Sequence, residues 1–152
     1  MNEPRDPAAT VRLFVYGTLK QGFPNHRHNR GRRLPGEFRT RQSYPLWVVR
    51  LANEDRAPWL MDQPGQGHQV SGEVYEVAAA ELPAIDRLEE VGQPSGYVRV
   101  AIELEPADGD GQAFCAQAYL KPASQLPQCL QREGPYADYT LVLAEGYWLV
   151  QD

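Results

Sequence analysis

The sequence predicts an α+β fold: a mostly antiparallel, barrel-like sheet with one main helix packed on it. Three observations predict it. Thirteen prolines and thirteen glycines are spread along the 152 residues rather than pooled, which suits many short strands punctuated by turns. Apolar runs alternate with the period of two that a strand requires. Only one segment, Ala79 to Val91, carries a helical period.

In chain order, the polar, proline-bearing residues 1–10 read as a disordered arm, and residues 11–152 as a single domain. Val11 to Tyr16 is a β-branched and aromatic run that stops at Gly17, hence a strand ending in a tight turn. Tyr44 to Val49 is the next apolar stretch, followed by a loop around Pro58 and a Gly/Pro cluster at Pro64 to Gly67. Gln69 to Val77 reads as an interior strand, with apolar residues on both faces. Tyr97 to Glu105 and Phe114 to Leu120 both alternate across the turn signal Asp108 to Gly111, so they should pair as a hairpin. Pro122 to Gln131 reads as a loop, and Tyr139 to Ala144 as a strand.

In the helical segment Leu82, Ile85 and Leu88 form one stripe, with Pro83 in the first turn where its missing donor is harmless. At 100° per residue Glu89 falls about 40° from the stripe centre and Glu90 about 140° away, so Glu89 faces the core and Glu90 faces water. An inward carboxylate near a helix C-terminus is disfavoured as an anion by desolvation and by the dipole. Its pKa should rise, which suits a general acid or base. Pairing with Arg99, tying helix to sheet, is the plain alternative.

Lys and Arg number 15 against 20 Asp and Glu, a net charge of −5. With no Lys/Arg block to displace counterions, nucleic acid is not an expected partner. No apolar run approaches the roughly 20 residues that cross a bilayer, so a membrane span is not expected either. Cys115 and Cys129 read as reduced packing residues of a cytoplasmic protein, since neither a signal peptide nor a disulfide framework is visible.

The segment Tyr16-Gly17-Thr18-Leu19-Lys20 follows the first strand. A glycine there permits a sharp turn, for which a positive φ is expected, and successive amides in such a turn can form an anion-binding nest. A plain connecting turn is the alternative. Gly17 and Gly22 have the spacing of a phosphate loop, but Phe23 and Pro24 stand where Lys and Ser or Thr are required. His26 and His28 lack a third ligand at a recognisable spacing, so no metal is expected, and His68 lies in an exposed Gly-rich loop. No nucleophile elbow is present. Trp47, Trp59 and Trp148 read as core or cavity wall.

Taken together, Tyr16-Gly17-Thr18-Leu19-Lys20, Gly22, Pro24-Asn25-His26, Tyr44-Pro45-Leu46, Gly72-Glu73-Val74-Tyr75, Ile85-Asp86-Arg87-Leu88-Glu89 and Tyr97-x-Arg99 resemble the gamma-glutamylcyclotransferase family, especially its gamma-glutamylamine branch. The resemblance covers Val11 to Tyr119. It departs at Phe23 and Ile85, and it weakens after Lys121, where residues should close the pocket around the leaving amine. It implies a small mixed barrel with a cavity. Tyr16, Gly17, Thr18 and Leu19 would bind a small gamma-glutamyl amide, and Glu89 would shuttle the proton as it cyclises to 5-oxoproline. No cofactor is implied. A catalytically inactive ligand-binding or protein-interaction module on the same fold is the competing expectation.

Overall fold

A computed structural model describes residues 9–109 and 111–149 of the chain. The expected arm therefore falls mostly outside the described residues; Ala9 accepts from the Ala79 amide and Thr10 opens the first strand. The strands are β1 (Thr10–Val15), β2 (Arg32–Arg33), β3 (Phe38–Thr40), β4 (Leu46–Arg50), β5 (Glu54–Asp55), β6 (Ala57–Leu60), β7 (Ser71–Ala78), β8 (Val98–Pro106), β9 (Phe114–Leu120), β10 (Gln131–Tyr136) and β11 (Trp148–Leu149). The helices are α1 (Leu82–Leu88) and the one-turn α2 (Leu141–Ala144). Among the described residues no helix is long and apolar enough to cross a membrane.

β1, β9, β8, β3 and β7 close into a five-stranded barrel, because β1 pairs antiparallel with β7 and parallel with β9. The other seams are antiparallel. The expected hairpin forms in the register that its alternation implies: Leu104 faces Phe114, Ile102 faces Ala116, Val100 faces Ala118 and Val98 faces Leu120. Those side chains meet Phe14, Phe38 and Val74 inside the barrel, with Phe38 and Phe114 edge to face at 5.5 Å. Leu13, Val15, Tyr75 and Val77 on the opposite faces of β1 and β7 form a second cluster with Ile85 of α1. Burial of β7 on both faces thus has a physical cause: the barrel fills one side and the helix covers the other.

The helix is shorter than its period suggests. A 3₁₀ turn occupies Ala79–Glu81, and α1 stops at Leu88. Glu89 is the C-cap, and Glu90 takes the left-handed conformation at φ 55°. Hydrogen bonds from the Glu90 amide to the Arg87 carbonyl and from the Val91 amide to the Asp86 carbonyl complete a Schellman cap. A glutamate sits where glycine is usual, so the termination is not visible in the sequence. Gly96 presses on this turn, and a Cβ there would lie 1.8 Å from the Glu90 carbonyl oxygen.

Asp86 ties α1 to the barrel by accepting from Arg99 Nε at 2.9 Å, Arg99 Nη2 at 3.2 Å and the Tyr119 hydroxyl at 2.6 Å. Removing a partly buried charged acceptor of three donors costs more than an ordinary hydrogen bond. Asp86→Ala is expected to lower stability by about 1–3 kcal/mol, read as a shifted urea midpoint at unchanged m. An unmoved midpoint would show that the apolar stripe alone holds the helix.

Three elements differ from expectation. The loop around Pro58 is β6, which pairs Val48 with Pro58 and Trp47 with Trp59. It lies at the edge of the three-stranded sheet β10-β4-β6, where a residue without an amide donor is tolerated. The loop at Pro122 to Gln131 contains a 3₁₀ helix, Ala123–Gln128, and leads into the exposed edge strand β10, whose polar residues carry no alternation. Tyr139 to Ala144 is not a strand: the Thr140 hydroxyl accepts from the Leu143 amide at 3.2 Å and caps α2.

Among the tryptophans, Trp59 is core, Trp47 is half-buried beside it, and Trp148 is exposed. Cys129 is half-buried, whereas Cys115 is exposed on β9 and is not a packing residue; both thiols are free. His68 is exposed, as expected.

Candidate active site

β1 and β9 run parallel and finish at the same end of the barrel, where the chain also enters β8. A cavity of about 140 Å³ lies at that end and opens to solvent. The structure brings Tyr16, Gly17, Thr18, Leu19 and Glu89 to its wall, together with Asn25, Glu54, Tyr97, Tyr119, Lys121 and Tyr147.

The loop after β1 is braced from outside. Gly17, Thr18 and Leu19 carbonyls accept from Lys20, Asn25 and Asn29 respectively, and His26 Nδ1 also sits 3.1 Å from the Leu19 carbonyl. The buried Glu73 carboxylate accepts from the Gln21 amide at 2.9 Å. Among the described residues, no hydrogen bond engages the Gly17, Thr18 or Leu19 amides. With their carbonyls occupied and no partner for their N–H groups among the described residues, these three amides are available to a ligand in the cavity. Lys20 takes no part in the cavity, because its Nζ donates to the Tyr139 carbonyl at 2.7 Å and Asp138 at 3.2 Å.

Gly17 does not have the positive φ that its turn suggested. Its constraint is proximity: a Cβ would stand 2.4 Å from Pro58 Cγ. The loop therefore lies flat against the edge strand β6.

Glu89 reaches the cavity from the cap of α1. Arg99, its alternative partner, is committed to Asp86, and among the described residues no hydrogen bond or ion pair engages the Glu89 carboxyl. Burial, followed by the nearby charges of Glu54 and Glu90, pushes its pKa from 4.5 up to about 8, with Lys121 opposing. Glu90 is exposed, as expected, yet it also rims the cavity.

Lys121 is buried, donates to the Ser95 carbonyl at 2.6 Å and Gln125 at 3.0 Å, and lies over Trp59 and Tyr97. Burial lowers its pKa, while the carboxylates Glu54, Glu89 and Glu90 oppose that shift. Tyr16 donates to the Tyr119 carbonyl at 2.6 Å, and burial with the Glu89 charge raises its pKa well above the ordinary phenol value.

The raised Glu89 pKa has a defined consequence for stability. Between 4.5 and about 8 the folded chain retains a proton that the unfolded chain releases, so stability falls as pH rises through that window. Glu89→Gln removes the penalty, and above pH 8 the variant is expected to be more stable than the parent by about 1–3 kcal/mol after solvent screening at the cavity mouth. Urea unfolding from pH 5 to 9 checks this; parallel curves for the two proteins would mean the carboxyl is not perturbed.

Sequence reasoning missed Glu54, Lys121 and Tyr147. Glu54 lies in the polar run Ala52 to Arg56, Lys121 follows the last alternating residue of β9, and Tyr147 precedes β11. No local pattern marks any of them as facing a cavity.

Fold and site together define a small α+β barrel with one cavity, lined both by a carboxylate of perturbed pKa and by the loop that follows β1. The chain belongs to the Gamma-glutamyl cyclotransferase, AIG2-like family, whose model matches residues 13–148. It is 40% identical over 104 residues to the gamma-glutamylaminecyclotransferase of Mus musculus, a match that spans 65% of this chain and 66% of that protein, just under two thirds. It is 37% identical over 118 residues to gamma-glutamylaminecyclotransferase A of Danio rerio, spanning 74% of this chain and 70% of that one. The crystal structure of an AIG2-like protein from Mus musculus superposes with a TM-score of 0.70 at 34% identity, covering 86% of this chain and 88% of the other.

Proposed function

We propose that the protein is a cyclotransferase of the gamma-glutamylamine type, converting a gamma-glutamyl amide to 5-oxoproline and a free amine. Family membership and the gamma-glutamylaminecyclotransferase relatives support the activity. The observation that carries the mechanism is a Glu89 carboxyl, pushed up to a pKa of about 8 and without a hydrogen-bond or ion-pair partner among the described residues, in the lining of the same cavity as Gly17, Thr18 and Leu19.

In such a substrate the α-amino nitrogen attacks the side-chain carbonyl carbon, a C–N bond forms, and the amide C–N bond breaks. No water or protein nucleophile is consumed. The two reacting groups already share one molecule, and well-oriented intramolecular attack reaches effective molarities of about 10⁵–10⁸ M. The protein must take the ammonium proton and return it to the departing nitrogen. Glu89 does both in turn, since a pKa of about 8 is close enough to that of an aliphatic amine for proton transfer in either direction. The Gly17 to Leu19 amides hold the substrate carboxylate or the developing oxyanion, with Tyr16 fixing the start of the loop through Tyr119. Two free thiols fit a reducing compartment, the cytoplasm.

Incubation with a panel of gamma-glutamyl amides, with 5-oxoproline as the readout, tests the reaction. kcat/KM is expected to rise as pH passes through about 8, where Glu89 in the free enzyme becomes able to accept a proton. No 5-oxoproline from any amide would defeat the proposal. A profile flat from pH 6 to 9 would remove Glu89 from the proton transfer.

A further inference from the structure

A second carboxylate faces the cavity, and the mechanism above does not use it. Glu54 stands in β5, 35 residues from Glu89 in the chain, and accepts from the Tyr147 hydroxyl at 3.0 Å. The Tyr147 oxygen in turn accepts from Asn25 Nδ2 at 3.1 Å, and the same amide donates to Thr18 Oγ1 at 2.9 Å. Four side chains from three segments thus form one hydrogen-bonded chain that ends in the loop proposed to bind substrate.

The chain has a direction. An ionised carboxylate only accepts, so Tyr147 must donate to Glu54 and must accept from its other neighbour. Asn25 therefore presents both amide protons, one to Tyr147 and one to Thr18. The Thr18 oxygen is then an acceptor in the chain, and its own hydroxyl proton is left for the cavity. We propose that Glu54 is a positioning residue: through Tyr147 and Asn25 it holds Thr18 as a hydrogen-bond donor to the gamma-glutamyl substrate, while its charge acts across the cavity on Glu89. The proposal rests on the reading of Glu89 as the acid/base.

The second half has support in the charges around Glu89. From the elements packed about it, Glu54, Glu90, Lys121, Tyr16, Tyr97, Tyr119 and Tyr147 face the same space. Lys121 is the cation among them, and its ammonium is already held by Ser95 and Gln125. Glu54 is the strongest of the charges that push the Glu89 pKa upward, second only to burial. Its own pKa is raised by burial, with the Tyr147 hydroxyl opposing.

Two variants separate the chain from the charge. Tyr147→Phe cuts the chain and keeps the Glu54 charge. Glu54→Gln removes the charge, while its amide oxygen can still accept from Tyr147. Tyr147→Phe is expected to raise KM about tenfold, the worth of roughly one hydrogen bond, without moving the pH dependence of kcat/KM. Glu54→Gln is expected to move the rising limb of that profile to lower pH with KM within about threefold of the parent. Carboxyl-carbon NMR of isotope-labelled protein reads the Glu89 titration without turnover. Its midpoint should fall in Glu54→Gln and stay in place in Tyr147→Phe. An unchanged KM in Tyr147→Phe, or a Glu89 midpoint that fails to fall in Glu54→Gln, overturns the role of Glu54. A parent that makes no 5-oxoproline defeats the reaction instead, and the NMR titration then decides alone whether Glu54 acts on Glu89.

Discussion

Glu89→Gln is expected to fold normally and to lose at least 10²–10⁴ in cyclisation rate, the range that a general base contributes. The amide keeps the side chain's size, and the carboxyl it replaces makes no hydrogen bond or ion pair among the described residues, so packing at the helix cap is undisturbed. What disappears is the capacity to accept the ammonium proton and return it to the leaving nitrogen. Because one group serves both transfers, the loss should sit toward the upper end. Glu90→Gln is the comparison. Its residue is exposed and rims the cavity, and its charge is the lesser of the two that raise the Glu89 pKa. A mild change in rate with a small shift of the pH profile to lower values is expected there. Equal activity of the two variants on an amide that the parent turns over would remove Glu89 from the mechanism.

Gly17→Ala is expected to damage both stability and binding. The added methyl carbon would overlap the Pro58 ring at 2.4 Å, so either the loop lifts off β6 or the edge strand moves. Overpacking of this kind costs about 1–3 kcal/mol. Lifting the loop also displaces the free amides of Gly17, Thr18 and Leu19, so KM should rise at least tenfold while the thermal midpoint falls. The cause can be isolated. Pro58→Ala removes the ring that the methyl group would meet, and the double variant should recover part of both losses, a favourable coupling between neighbouring sites. Strictly additive losses would mean that the turn itself, and not its contact with Pro58, demands glycine.

The site was legible where burial has a local signature. The positions of Leu82, Ile85 and Glu89 on one helical stripe place a carboxylate toward the interior before any tertiary contact is known. The end of that helix was not legible, because Glu90 occupies the left-handed cap position where a sequence reader looks for glycine, and Gly92 lies two residues too late. Likewise β6 was hidden by Pro58, whose missing donor is harmless only because the strand lies at a sheet edge. β10 was hidden because an exposed edge strand needs backbone pairing and no apolar alternation. A strand expected at Tyr139 became a capped turn of helix, since Thr140 offers its hydroxyl to the backbone more readily than a four-residue apolar run can join a sheet.

The α+β class, the β8–β9 hairpin with its register, the inward face of α1 and the motifs shared with the gamma-glutamyl cyclotransferase family are all legible before folding is considered. Each of these is written in spacing along the chain, because a strand or a helix converts residue number directly into direction. The surroundings of Glu89, by contrast, come from contacts between distant segments. Arg99 turned to Asp86 and left the glutamate without a partner among the described residues, Pro58 came up against Gly17, and Glu54, Lys121 and Tyr147 converged on the cavity from separate segments. A pKa near 8 depends on burial and on through-space distances between charges, and neither has a period that a sequence can show.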